Sequence, residues 1–70
     1  MGYIHLNIVK GDFKFALWEE GAYKRYKKKI HELRCKGYRK INQEYGWLND
    51  YEYYRRKGKK KIITVTRMYP

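Results

Sequence analysis

The stretch from Tyr51 to Tyr69, YEYYRRKGKKKIITVTRMY, decides the fold of this chain. Tyr, Ile, Val and Thr favour the half-buried surface of a pleated sheet. Gly58 separates the two halves and can adopt the positive φ that a tight turn needs. The stretch therefore predicts a β-hairpin.

The predicted turn of this hairpin is crowded with positive charge. Its cations are Arg55, Arg56, Lys57, Lys59, Lys60 and Lys61. Like charges on one loop repel each other and cost stability, so their presence needs a reason outside the fold. A polyanionic partner supplies that reason.

The whole chain has the same bias. It has 70 residues, with 18 Lys and Arg against 7 Asp and Glu, a net charge of +11. This size predicts one domain over residues 1–70 with a small core. The charge predicts attraction to nucleic acid, to an anionic membrane surface or to an acidic protein. Aromatic residues make up 19% of the chain, which favours a folded domain over a disordered basic tail.

A single cysteine, Cys35, excludes an internal disulfide and fits a reducing, cytoplasmic environment. The N-terminal run MGYIHLNIVKGDFKF is too interrupted by polar residues for a signal peptide or a membrane-spanning helix. We therefore expect a cytoplasmic protein without a membrane partner.

The segment before the helix has the alternation of strands. Residues 3–9 place Ile4, Leu6 and Ile8 on one face. Gly11-Asp12 follows as a two-residue turn. Residues 13–18 alternate again, so they form either a second strand or the start of the helix.

Residues 19–36 predict the one clear helix. An apolar stripe recurs at spacings of three and four: Tyr23, Tyr26, Ile30 and Leu33. Glu19 and Glu20 suit the positive end of the helix dipole, and Gly37 suits its C-terminal stop. The opposite face carries Lys24, Arg25, Lys28, His31 and Cys35.

Residues 38–48 predict a further strand, Asn49-Asp50 a turn, and residues 51–56 and 61–69 the last two strands. The expected fold is a small α+β domain. It has an antiparallel sheet of four or five strands with one helix packed on one face. The order is ββαβββ, or βαβββ if residues 13–17 join the helix.

Two-residue turns at Asn49-Asp50 and Gly58-Lys59 would fix which residues share a face. The more apolar face is expected under the helix with Ile4, Leu6, Ile8, Ile30 and Leu33; it holds Trp47, Tyr54, Ile63 and Val65. The other face is expected to point outward and holds Leu48, Tyr51, Tyr53, Arg55, Ile62, Thr64 and Thr66. A slip of one residue would exchange the two faces.

These features predict a non-catalytic nucleic-acid-binding protein. The six loop cations would neutralise phosphates, and Tyr51 and Tyr53 would offer rings on which bases stack. Lys24, Arg25 and Lys28 form a second candidate surface on the helix. The sequence does not distinguish DNA from RNA, and an outward apolar face leaves a homodimer open.

No cofactor or metal is expected. His31 and Cys35 lie four apart on the helix, but zinc usually takes three or four protein ligands. Cys35 lacks a recognisable His-plus-carboxylate arrangement for a nucleophile. Glu19 and Glu20 are adjacent and diverge on a helix, so no acid–base pair is evident, and we do not expect an enzyme.

The C-terminal run NDYEYYRRKGKKKIITVTR resembles the closing strands of RelE/ParE-type toxins. For the RelE branch, this resemblance implies cleavage of ribosome-bound messenger by basic and tyrosine residues. The chain departs from that pattern because it has room for one helix where those toxins usually have two. Residues 45–48 also replace their Arg-rich strand, so no catalytic residue is carried over.

The size of the chain suggests another alternative. Very small, basic, non-catalytic domains are typical of phages and other mobile elements, and some block host proteins, as anti-CRISPR proteins do. Such an inhibitor would place its basic face on an acidic host protein or on a nucleoprotein.

Overall fold

The computed structural model describes residues 11–70, which form one helix and four strands. The elements are β1 (Phe13–Ala16), α1 (Ala22–Cys35), β2 (Tyr38–Tyr45), β3 (Asn49–Arg56) and β4 (Ile62–Met68). The expected small α+β domain is confirmed, in the order βαβββ. The strand predicted at residues 3–9, with Ile4, Leu6 and Ile8, lies outside the described residues. Within residues 11–70, no helix is long and apolar enough to cross a membrane.

The sheet has the order β1-β4-β3-β2 and is mixed. The pairs β2–β3 and β3–β4 are antiparallel, as predicted, whereas β1 lies parallel to β4. The crossover through α1 makes β2 run in the same direction as β1. Two hairpin reversals then bring β4 back in that direction beside β1. Phe13–Ala16 thus forms a strand and does not join the helix, and it lies at one end of the sheet formed by residues 11–70.

Helix α1 is shorter at its start than the predicted range of 19–36. Gly21 has φ 75°, a left-handed conformation, so the helical backbone begins only at Ala22. Glu19 and Glu20 therefore precede the helix. At the other end Gly37 has φ 93°, and its N–H donates to the carbonyl of Arg34, which confirms the predicted stop.

The core lies between α1 and one face of the sheet, called here the inner face. It is built on Tyr26, Leu33, Tyr54 and Val65, with Phe13, Phe15, Ile30, Tyr38 and Ile63 packed against them. Tyr54, Ile63 and Val65 thus lie under the helix as predicted. Tyr23, expected on the buried stripe, is 55% exposed, although its ring centre lies 5.9 Å from that of Tyr26.

The β3–β4 register matches the prediction, since Tyr53 pairs with Thr64 and Arg55 with Ile62. The predicted Asn49-Asp50 turn is wrong. Both residues begin β3, and the chain reverses at residues 46–48. The Gly46 N–H donates to the Asn49 carbonyl at 2.7 Å. A Cβ on Gly46 would lie 2.7 Å from that oxygen, so this close approach requires glycine.

Candidate nucleic-acid interface

The β3–β4 connection, residues 57–61, is called here the cationic loop. Gly58 has φ 82°, which only glycine adopts without strain, and the Lys59 N–H donates to the Arg56 carbonyl at 3.0 Å. All four lysines of the loop are exposed: Lys57, Lys59, Lys60 and Lys61. Among residues 11–70, none of the four has a carboxylate partner within 4.0 Å. Their charge is therefore uncompensated inside the described fold.

The two arginines before the loop separate onto opposite faces of the sheet. Arg55 is exposed on the outer face, the face turned away from α1. Arg56 is half-buried on the inner face, with its guanidinium carbon 5.8 Å from the centre of the Tyr38 ring. A strand turns successive side chains to opposite faces, so the six predicted cations do not form one surface.

Tyr51 and Tyr53 both lie on the outer face, as predicted, and both are half-buried. The Tyr53 hydroxyl donates to the Glu44 carboxylate on β2. That hydrogen bond, with some burial, raises the pKa of Tyr53. Asn49 donates to the Tyr51 hydroxyl at 3.5 Å. The hydroxyl contacts tie both rings to the sheet beside Arg55.

Thr64 and Thr66 lie on the outer face with Tyr53 and Tyr51, as predicted, but the face is not open along its whole length. Thr66 has no exposed surface, whereas Thr64 is half-buried. The backbone at Gly11 packs closely against Thr66. A Cβ added to Gly11 would clash with the Thr66 hydroxyl oxygen. The open part of the outer face is therefore narrower than the sequence predicts.

The second predicted surface is present as an exposed side of α1. Lys24, Arg25 and Lys28 are all exposed, and Arg25 donates to the Glu20 carbonyl at 3.1 Å. The structure places these cations on the helix, apart from the cationic loop on the sheet. They form a separate surface and do not extend the first one.

Three apolar side chains lie together at the other end of β3, and one of them, Trp47, was assigned to the wrong face. Trp47, predicted to face the helix, is 95% exposed, because it lies in the turn and not in a strand. Tyr45 is 74% exposed and Leu48 is also exposed. These three residues are called here the apolar tip. In the sequence, Gly46 was the signal for the turn at residues 46–48 and therefore for the apolar tip.

A network of buried charges lies on the inner face and was not predicted. Glu52 is 5% exposed, and its carboxylate accepts a hydrogen bond from the Tyr26 hydroxyl at 2.6 Å. The Tyr54 hydroxyl donates to the same oxygen at 3.4 Å. Burial and the Glu52 carboxylate together raise the pKa of Tyr54 to about 12, and the pKa of Tyr26 is also raised, first by burial.

A second carboxylate, Asp50, extends this network. It lies 3.3 Å from the Arg67 guanidinium and accepts a hydrogen bond from the Tyr69 hydroxyl at 2.7 Å. Arg67 also lies over the Tyr26 ring, 5.2 Å from its centre. A cleft of about 430 Å³ opens between α1 and these strands, and is called here the helix–sheet cleft.

The structure gives no support for a metal centre in the part of the chain it describes. The His31 Nε2 and Cys35 Sγ atoms are 3.5 Å apart on the exposed side of α1. Within residues 11–70, no three residues among His, Cys, Asp and Glu come together as a ligand set.

Comparison with known proteins identifies no relative: no protein-family model matches the chain, and no curated protein or solved structure is significantly similar to it.

Proposed function

We propose that the protein is a non-catalytic nucleic-acid-binding domain that contacts phosphates through its cationic loop. The observation that carries this proposal is the set of four exposed loop lysines without a carboxylate partner in residues 11–70. Nucleic-acid phosphates would offset the repulsion between them, and the released counterions would drive binding.

The outer face next to the loop supports the same function. Arg55 is exposed there, in the same row as Tyr53 and Tyr51. A base stacked on an aromatic ring gains roughly 1–3 kcal/mol, without selecting a particular sequence. The two tyrosine rings are held by their hydroxyl contacts, so they would offer stacking surfaces beside the phosphate contacts.

The test compares two variants of equal net charge. Lys59→Gln/Lys60→Gln removes two loop cations, and Lys36→Glu lowers the net charge by the same two units at an exposed residue at the end of α1. Anisotropy of a fluorescent 12-nucleotide single strand at low salt should show at least tenfold weaker binding for the loop variant. The control should stay within about threefold of the unmodified protein.

Equal weakening by both variants would show that only net charge matters and would refute the loop as the contact surface. Cleavage of the oligonucleotide during the measurement would contradict the non-catalytic assignment. It would favour instead the ribonuclease activity that the toxin resemblance implies.

We propose inhibition of a host protein as the second candidate, because of the apolar tip. Exposed Trp and Tyr side chains are typical anchors of protein interfaces. Trp47 and Tyr45 are the two most exposed large apolar side chains among residues 11–70. This candidate predicts a stoichiometric complex with one host protein that Trp47→Ser abolishes and Lys59→Gln/Lys60→Gln preserves. If both variants still form the complex, the apolar tip is not its interface.

A further inference from the structure

The helix–sheet cleft has the charge pattern of an anion site. Its volume of about 430 Å³ falls within the ~300–1,000 Å³ typical of ligand clefts. Helix α1 contributes Lys27 and Arg34 to its wall, and the strands contribute Lys40, Glu52 and Arg67. The cleft lies on the inner face, so it is separate from the cationic loop and the outer face.

The cations of this cleft outnumber the carboxylates that pair with them. Arg67 pairs with Asp50 at 3.3 Å, and Lys40 lies 3.7 Å from the Glu52 carboxylate. Lys27 and Arg34 are exposed, and neither has a carboxylate within 4.0 Å among residues 11–70. Two positive charges on the helix wall therefore face the cleft without a carboxylate counterion in the described part of the chain.

These two cations are placed to act together. Lys27 and Arg34 are seven residues apart, two helical turns, so they lie along the same side of α1. Lys27 is 5.5 Å above the centre of the Tyr23 ring, a contact that fixes its position without neutralising it. The guanidinium of Arg34 can bind two oxygens of one phosphate at once.

The cationic wall continues beyond the cleft. An adjoining recess of about 650 Å³ shares Arg34 and Lys40 with the cleft and adds Arg39. The shared side chains make the two spaces one groove between α1 and β2. Such a groove can take more than one phosphate in succession.

Among residues 11–70, Glu52 is the one carboxylate that lines this groove, and its charge is already engaged. One oxygen accepts hydrogen bonds from the Tyr26 and Tyr54 hydroxyls, and the other lies toward Lys40. The Arg67 Nε atom is buried without a hydrogen-bond partner in the described part of the chain. The floor therefore does not cancel the positive potential of the helix wall.

From this geometry we infer that the groove between α1 and β2 is a phosphate-binding site. Arg34 is its principal ligand, and Lys27 and Lys40 supply further charge. The phosphate can belong to a single-stranded nucleic acid or to a free nucleotide, since both present the same group. The inference does not depend on the cationic loop, because the two sites share no residue.

The test is an NMR titration of the ¹⁵N-labelled full chain with inorganic phosphate, with chloride at equal ionic strength as the reference. Phosphate should shift the amide signals around residues 27, 34 and 40 more than those of residues 57–61. Arg34→Gln should weaken phosphate binding at least fivefold, whereas Lys14→Gln should change it less than twofold. Shifts confined to residues 57–61, or equal losses in both variants, would overturn the inference.

Glu52→Gln gives an independent readout. The amide oxygen can still accept the two tyrosine hydrogen bonds, but the negative charge is gone, so phosphate should bind several-fold more tightly. If Glu52→Gln keeps the amide NMR spectrum of the folded protein but binds phosphate no more tightly than the unmodified protein, the inferred phosphate site beside Glu52 is contradicted.

The two sources of phosphate are distinguished by probes. Binding of AMP with the same sensitivity to Arg34→Gln supports a nucleotide site. Much tighter, Arg34-dependent binding of a 12-nucleotide single strand supports the nucleic-acid backbone as the ligand. If phosphate binds here while Lys59→Gln/Lys60→Gln leaves oligonucleotide binding unchanged, the loop proposal fails and the groove proposal stands.

Discussion

The two loops that flank β3 have opposite chemistry. The turn at residues 46–48 exposes the apolar tip, with Trp47 at 95% exposure, whereas residues 57–61 expose four lysines. The eight-residue strand between them holds the two ends about 27 Å apart. A rigid sheet thus separates an aromatic surface from a cationic one. Loops on such a scaffold commonly carry function, and the difference suggests two distinct kinds of contact.

The largest expected effect is on the stability of the core that supports both loops. Leu33 is 4% exposed in the core, so Leu33→Ala should lower the free energy of unfolding by about 2–5 kcal/mol. Urea denaturation measures this change, and both loops should lose their binding together. The exposed Lys28→Ala on the same helix should change stability by less than about 0.5 kcal/mol. Equal midpoints for the two variants would contradict the packing of α1 on the sheet.

The next test sharpens the role of the outer face beside the cationic loop. Tyr53→Ala removes a ring on which a base can stack, so oligonucleotide binding should weaken by about 1–3 kcal/mol. Tyr53→Phe removes only the hydroxyl that contacts Glu44 and should bind within twofold of the unmodified protein. Anisotropy titrations measure both variants. Unchanged binding in Tyr53→Ala would restrict the interface to the lysines.

The pH dependence of stability tests the buried tyrosine hydroxyls of the inner face, which the loop variants do not test. Burial and Glu52 raise the pKa of Tyr54 to about 12 in the folded protein, against an ordinary value of 10.0. The folded state therefore holds this proton more tightly, and its contribution to stability is complete below about pH 10 and is lost as pH rises toward 12. Urea midpoints measured across this range should fall. Tyr54→Phe should show a shallower fall, and an identical pH profile would contradict the burial of this hydroxyl beside Glu52.

The smallest expected effect concerns the apolar tip. Trp47 is almost wholly exposed, so Trp47→Ser should change the unfolding free energy by less than about 0.5 kcal/mol. It should also leave oligonucleotide binding within twofold, because the tip lies at the opposite end of β3 from the lysines. Anisotropy and urea denaturation provide the two measurements. A tenfold loss of oligonucleotide affinity in Trp47→Ser would show that the apolar tip and the cationic loop belong to one interface.

The fold was largely predictable because its signals are local. The apolar stripe of α1 and the alternation around Gly58 give the helix and the β3–β4 register directly. The turn at residues 46–48 was missed because Asn49-Asp50 is a stronger local turn signal than Gly46. Asp50 instead contacts Arg67 and Tyr69, which lie 17 and 19 residues further along the chain, and such contacts leave no local pattern.

One candidate site likewise has a local signal in the sequence, and the other depends on contacts between distant residues. The exposed lysines of the cationic loop follow from a run of like charges in the sequence. The helix–sheet cleft does not, because its floor joins Tyr26 to Glu52 across 26 residues. Nothing in the sequence distinguishes Lys27 and Arg34 from the other cations of α1, and only the packing of α1 on the sheet makes them the wall of a cleft.

The salt dependence of oligonucleotide binding tests the central claim most directly. Affinity for a 12-nucleotide single strand would be measured from 50 to 200 mM salt, for the unmodified protein and for a variant with all four loop lysines changed to Gln. Each phosphate contact on a single strand contributes about 0.7 to the log–log slope, so the variant should have a slope shallower by about 3. Equal slopes for the two proteins would show that the loop does not contact phosphates and would contradict the account.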